Sequence, residues 1–172
     1  MMNKLLAALR LLPLAALGLF FSGCGIYSFS GTSIQPDVKT ITIEYFEYKA
    51  LKVNPQLATK LTDDMREKFH RLTRLEQVEQ DGDLNIYGEV TGYEVSATSI
   101  TAGETAARNR LTVTIKVTFN NRKYPEDDFD KSFSAYADFD STQLLDAVQD
   151  SLCEEIVEKL IDDVFNASVA QW

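Results

Sequence analysis

An α+β fold is predicted for this chain of 172 residues: a mainly antiparallel sheet of four to five strands, with two helices packed on one face. Three observations carry that reading. Between Arg110 and Asn120, Leu111, Val113, Ile115, Val117 and Phe119 alternate strictly with Thr112, Thr114, Lys116 and Thr118, the period of a strand in a sheet with only one oily side. Leu57, Leu61, Met65 and Phe69 follow one another at steps of four, and a longer stripe runs through Leu144, Leu145, Val148, Leu152, Ile156, Leu160 and Val164. The order strand, helix, three or four strands, helix lets both helices cover one sheet face and leaves the other open.

The chain begins as an export signal does. Lys4 and Arg10 precede an apolar run, Leu11 to Phe21, that is well short of the roughly 18 to 20 residues needed to span a bilayer. Phe21-Ser22-Gly23-Cys24 resembles the lipobox of a bacterial lipoprotein precursor, with Phe21 in place of the usual leucine. The plainer alternative is a cysteine lying near an ordinary secretory cleavage site. The lipobox reading divides the chain into a signal peptide (residues 1–23), a lipidated tether (24–36) and a single α+β domain (37–172). Cys24 would carry a diacylglycerol thioether and an N-acyl chain, each buried methylene contributing about 0.8 kcal/mol to membrane binding. Gly25 stands where an aspartate favours retention at the inner membrane in such families, which points outward to the outer membrane.

The elements are taken in chain order. After Pro36 and Asp37, Ile41, Ile43 and Tyr45 alternate with Thr40, Thr42 and Glu44, predicting a strand over Val38 to Tyr48. Asn54-Pro55 is a helix start with Asn as N-cap, and the helix is expected to reach Leu72. Leu75 to Val78 reads as a short edge strand, and Asp81-Gly82 as a turn. A strand from Asp83 to about Ser96 places Leu84, Ile86 and Val90 opposite Asn85, Tyr87, Glu89 and Thr91, with a bulge at Gly92. Arg110 to Asn120 is the next strand, succeeded by a turn over Asn121 to Asp128 and a strand from Phe129 to Phe139. Asp140 or Ser141 is expected to cap a last helix of about 25 residues, roughly 37 Å at 1.5 Å per residue.

Composition excludes several classes of function. Seventeen basic and twenty-six acidic residues give a formal charge of −9, and loss of Lys4 and Arg10 with the leader would leave −11. Non-specific nucleic-acid binding needs a basic footprint that this chain does not have. With Cys24 acylated, Cys153 has no disulfide partner, so the fold must rest on its hydrophobic core. His70 is the one histidine and suits the end of the first helix, which argues against a zinc site or a Ser-His-Asp triad. The chain is expected to be non-enzymatic, with no cofactor beyond its acyl chains. Asp81-Gly82-Asp83-Leu84-Asn85 imitates a calcium loop, but Ile86 replaces the required glycine and Gly92 the bidentate glutamate.

The basic residues are more suggestive. Arg108 and Arg110 stand at the mouth of the loop from Ser96, Lys116 shares a face with Arg110, and Arg122 and Lys123 mark the next turn. Guanidinium groups pair bidentately with phosphate and ammonium groups act as point charges, so these five are the candidate contacts for an anionic headgroup. The competing reading is that they serve solubility and block edge pairing.

The signal ending at Cys24, the segment Gly25-Ile26-Tyr27-Ser28-Phe29-Ser30-Gly31, the element order and Ser132-Phe133-Ser134-Ala135-Tyr136-Ala137-Asp138-Phe139 together resemble the lipopolysaccharide-assembly lipoprotein family, LptE. The resemblance covers essentially the whole mature chain, on short motifs. It implies a non-enzymatic outer-membrane lipoprotein that plugs a large β-barrel, an LptD-like translocon inserting lipopolysaccharide into the outer leaflet, and that is implicated in lipopolysaccharide contact. Two other classes remain: an accessory docking lipoprotein of another envelope machine, such as barrel assembly or an export pump, and a lipid-anchored hydrolase using carboxylates.

Overall fold

The computed structural model describes residues 33–52, 54–98 and 107–170. The signal, Cys24 and most of the tether therefore lie outside the described residues. The elements are β1 (Thr40–Ile43), β2 (Glu47–Tyr48), α1 (Pro55–Leu72), β3 (Glu76–Gln77), β4 (Leu84–Ala97), β5 (Arg108–Asn121), β6 (Phe129–Asp140) and α2 (Leu145–Val169), with a 3-10 turn at Pro125–Asp127.

The α+β class holds, and the sheet is mixed, with six strands. Its order is β3-β1-β4-β5-β6, and β2 also pairs with β4. The long strands β4, β5 and β6 form an antiparallel meander, whereas β1 runs parallel to both β3 and β4, and β2 parallel to β4. The sheet is mainly antiparallel, as expected, and the short parallel pairs arise because α1 acts as a crossover: it returns the chain to the end where β1 started, so β3 and β4 run the same way as β1.

The alternation of Ile41, Ile43 and Tyr45 predicts one strand, but the strand breaks into β1 and β2. Ile43 pairs with Ile86 and Glu47 with Glu89, so four steps on one side match three on the other. The extra residue swaps the parity: Phe46 is fully buried while Tyr45 is 54% exposed. The break is held by polar groups that fill the gap in the ladder. Arg66 of α1 donates through Nε and Nη2 to the Ile43 carbonyl at 3.1 and 2.7 Å, and Phe46 N–H donates to Thr62 Oγ1 at 3.1 Å. The bulge expected at Gly92 is present as a register shift between Val90 and Gly92.

Two cap expectations are corrected. Asn54 precedes Pro55 as predicted, but its side chain makes no cap bond and its Nδ2 instead reaches Cys153 Sγ at 3.5 Å. The last helix is capped by neither Asp140 nor Ser141. The Asp140 carboxylate is used in a turn, accepting from Thr142 N–H at 2.8 Å and Thr142 Oγ1 at 2.6 Å, so the helix starts after Leu144, which is 79% exposed instead of joining the apolar stripe.

Both helices lie on one sheet face. α1 packs along β1, β2 and β3, and α2 over β5 and β6, with the two helices touching each other through an edge-on pair, Phe69 and Phe165, at 5.0 Å. Leu111, Val113, Ile115, Val117 and Phe119 of β5 are all buried beneath them. Full burial of such side chains contributes about 1.5–3 kcal/mol each, which makes this layer the core. Among the described residues no helix is long and apolar enough to cross a membrane.

Candidate functional site

The sheet face away from the helices is built from the polar half of each alternating strand. Thr112, Thr114, Lys116 and Thr118 of β5 lie between Asn85, Tyr87 and Glu89 of β4 and Asp130, Ser132, Ser134 and Tyr136 of β6, through pairs such as Tyr87 with Thr118, Glu89 with Lys116, and Lys116 with Ser132. This is the face the sequence pattern assigns to those β4 and β5 residues. Its groups bond laterally: Thr114 Oγ1 and Ser134 Oγ are 3.1 Å apart, and Asn85 Nδ2 donates to Glu44 at 3.1 Å. A shallow depression of about 310 Å3 lies between Tyr45 and Tyr87, where Lys49 bridges Glu47 at 3.0 Å and Glu89 at 2.6 Å. Such a surface can exchange water for the hydrogen-bonding groups of a polar partner at little desolvation cost.

The five candidate cations do not form one cluster. Arg108 and Arg110 sit at one end of β5, Lys116 in its middle, and Arg122 and Lys123 just past its other end. At about 3.3 Å per residue, Arg110 and Arg122 are some 40 Å apart along the strand. Four of the five hold carboxylates. Arg110 grips Asp138 through two bonds, Nε to Oδ1 at 2.7 Å and Nη2 to Oδ2 at 2.9 Å, with its guanidinium 3.5 Å from the centre of the Tyr136 ring. Lys116 pairs with Asp130 at 3.1 Å, Arg122 with Asp81, and Lys123 with Asp83 at 3.1 Å. Lys123 also donates to the Asp37 carbonyl. Arg108 is exposed and has no ion pair among the described residues.

These pairs shift protonation. The Arg110 guanidinium holds the Asp138 carboxyl below the usual carboxylate range, and Asp138 in turn raises Arg110. Asp83 is lowered first by the Lys39 N–H, which donates at 2.7 Å, and then by Lys123 and the Thr40 N–H. The carboxylates that complete this face, Asp130 and Asp138, escape a motif search. Their signal is the register: counting back from the Asn121–Asp128 turn places Asp138 opposite Arg110.

His70 is exposed at the end of α1 as expected. Cys153 is buried, as its place beside Leu152 implies. Burial raises its thiol pKa, and Tyr93 Oη lies 3.9 Å away. Burial also pushes Tyr93 up to about 12.

A sequence model of the LptE lipopolysaccharide-assembly family matches residues 38–168. A comparison with curated proteins gives no match. Among solved structures the chain is similar to a minor lipoprotein of Acinetobacter baumannii, at 9% identity over 74% of this chain and 89% of that one, with a TM-score of 0.48. It is similar to a hypothetical protein of Chlamydia trachomatis at 7% identity, over 76% and 97% of the two chains, with a TM-score of 0.49. A third similarity is to a lipoprotein of Neisseria meningitidis at 12% identity, over 74% and 99%, with a TM-score of 0.42. The family match runs from the segment before β1 to the last turn of α2, and the chain belongs to the LptE lipopolysaccharide-assembly family.

Proposed function

We propose that this chain is a non-enzymatic outer-membrane lipoprotein that plugs and supports the large LptD-like β-barrel through which lipopolysaccharide reaches the outer leaflet. Acyl chains on Cys24 hold it at the membrane. The observation that carries this reading is the uncovered sheet face: every large apolar side chain of β5 points to the helices, and Thr112, Thr114, Lys116 and Thr118 face outward. A barrel lumen is polar, so this face can lie against it with its hydrogen bonds exchanged and not lost.

Lipopolysaccharide contact, in this reading, falls on the Arg108 and Arg110 end of β5, with Lys116, Arg122 and Lys123 too far along the strand to share one headgroup. The α2 surface is unsuited to it. Asp146, Asp150, Glu154, Glu155, Glu158 and Asp163 are exposed there, and Lys159 is bound to Glu155 at 2.7 Å. A phosphate approaching this surface meets like charge.

Affinity purification of the full chain from detergent-solubilised outer membrane tests the proposal. The lipopolysaccharide-inserting barrel should co-purify, whereas recovery with a different envelope machine, or with no barrel, overturns it. Reversing Arg108 and Arg110 should weaken lipopolysaccharide binding, and reversing Glu154, Glu155 and Glu158 should not.

A further inference from the structure

Tyrosine and carboxylate stand together at two places on the open sheet face, and one of the two lacks its cation. Where β5 begins, the Arg110 guanidinium lies 3.5 Å from the centre of the Tyr136 ring and donates to both Asp138 oxygens. In the depression beside β2 the rings are Tyr45 and Tyr87, both exposed, and the carboxylate is Glu44, also exposed. Asn85 Nδ2 donates to Glu44 Oε1 at 3.1 Å, while Oε2 has no partner among the described residues. Among those residues no arginine lines the depression. Its two lysines are already engaged, Lys49 by Glu47 and Glu89 together and Lys116 by Asp130 at 3.1 Å. Glu44, Glu47 and Glu89 therefore face the single ammonium of Lys49, and negative charge is in excess.

We propose that the depression between Tyr45 and Tyr87 seats an arginine side chain of the barrel partner, its guanidinium lying against the tyrosine rings and donating to Glu44 Oε2. This rests on the plug reading above and names the group that the open face recognises on its partner. The set of groups is the one that Arg110 fills within the chain, a tyrosine ring beside a carboxylate, here left for a residue from outside. Arginine suits it better than lysine. A guanidinium is planar and weakly hydrated, so it stacks on an aromatic ring while its edge donates to a carboxylate. An ammonium is compact and strongly hydrated, and Lys49 already supplies one. An anion fits poorly, because both lysines are held and the excess charge repels it. The inward side of a barrel wall is polar, so it can present such a cation without placing it in lipid.

The test uses the lipidated full chain in detergent, in complex with the barrel that co-purifies with it. Phenylglyoxal, which modifies arginine, is the probe, and the modified positions are read by mass spectrometry. One barrel arginine should be protected in the complex with the unsubstituted chain and become reactive with Glu44→Gln. Glu44→Gln and Tyr87→Leu should each weaken the complex about fivefold. Glu158→Gln, the same charge change on an exposed position of α2, should leave it unaltered. Glu44 is exposed, so its substitution leaves the core whole, and an unfolding midpoint equal to that of the unsubstituted chain checks this. The proposal is overturned by a barrel with no protected arginine, by protection indifferent to Glu44→Gln, or by equal weakening with Glu158→Gln. Protection of Arg108 from a second copy of this chain, in place of a barrel arginine, overturns it as well. The two levels separate in the same experiment: a barrel that co-purifies with every arginine reactive sinks the seated arginine alone, while a chain that recovers no barrel sinks the plug and the seat with it.

Discussion

Phe46 lies so close beneath Gly88 that a Cβ added there would stand 2.8 Å from its Cε1 and nearer still to the Lys116 carbonyl. The glycine lets β4 pass over the ring that the break between β1 and β2 drives into the core. Gly88→Ala should therefore cost about 1–3 kcal/mol, the usual penalty of overpacking, measured as a lower midpoint in urea unfolding. A midpoint equal to that of the unsubstituted protein would mean that both the Phe46 ring and the Lys116 carbonyl move aside freely.

Asn121 ties off the far end of the sheet. It is 2% exposed, and its side chain donates to Asp127 at 3.2 Å while accepting from Lys123 N–H and Tyr124 N–H at 3.1 Å each. Asn121→Ala leaves the part-buried Lys123 N–H without its acceptor, while Tyr124 N–H keeps the Asn121 carbonyl at 3.2 Å, and should destabilise the domain by about 1 kcal/mol. The same turn holds the start of the domain, since Gln35 donates to Asp127 at 2.9 Å and Tyr124 Oη to Asp37 at 2.9 Å. Limited proteolysis of Asn121→Ala should accordingly show faster cleavage near residues 35–40.

Acid should destabilise the fold through Asp138 and Asp83. Both carboxyls have folded-state pKa values lowered, Asp138 chiefly by Arg110 and Asp83 chiefly by the Lys39 N–H. A lowered folded value means that the stabilisation is complete above the unfolded value, about pH 4, and is lost as the pH falls through the folded one. Thermal melts from pH 7 to pH 2 should show a steady melting temperature down to about pH 4 and a decline below it. Asp83→Asn should lower the neutral-pH value and flatten the acid decline.

The thiol count reads the anchor and the core together. Cys153 is buried with its pKa raised, so it should resist a thiol reagent at pH 8 until the protein unfolds. With Cys24 acylated, the mature protein should show no reactive thiol when native and one when unfolded; two on unfolding would mean an unmodified Cys24. Tyr93, pushed up to about 12, should also stay protonated in a spectrophotometric titration carried to pH 11.

Strict alternation made β5 and the open face of β4 and β5 legible, because a period of two needs no knowledge of neighbours. The two helices were equally plain from their stripes. What the pattern could not carry was pairing. Whether β1 runs with or against β4 depends on where the α1 crossover delivers the chain, and Ile41, Ile43 and Tyr45 look the same in either case. Tyr45 and Phe46 exchanged places because the one-residue bulge depends on the room left by Gly88, far along the chain. The candidate cations were chosen one at a time, and their carboxylate partners Asp130 and Asp138 became visible only when the β5–β6 register was fixed.

The claim on which the rest depends is that the polar sheet face is an interface. Labelling Tyr87→Cys with a membrane-impermeant maleimide tests it most directly, since Tyr87 lies exposed on that face and the one other described cysteine is buried. In isolated, detergent-free outer membranes the residue should label far more slowly than in the purified domain. Equal rates in both settings would contradict the account.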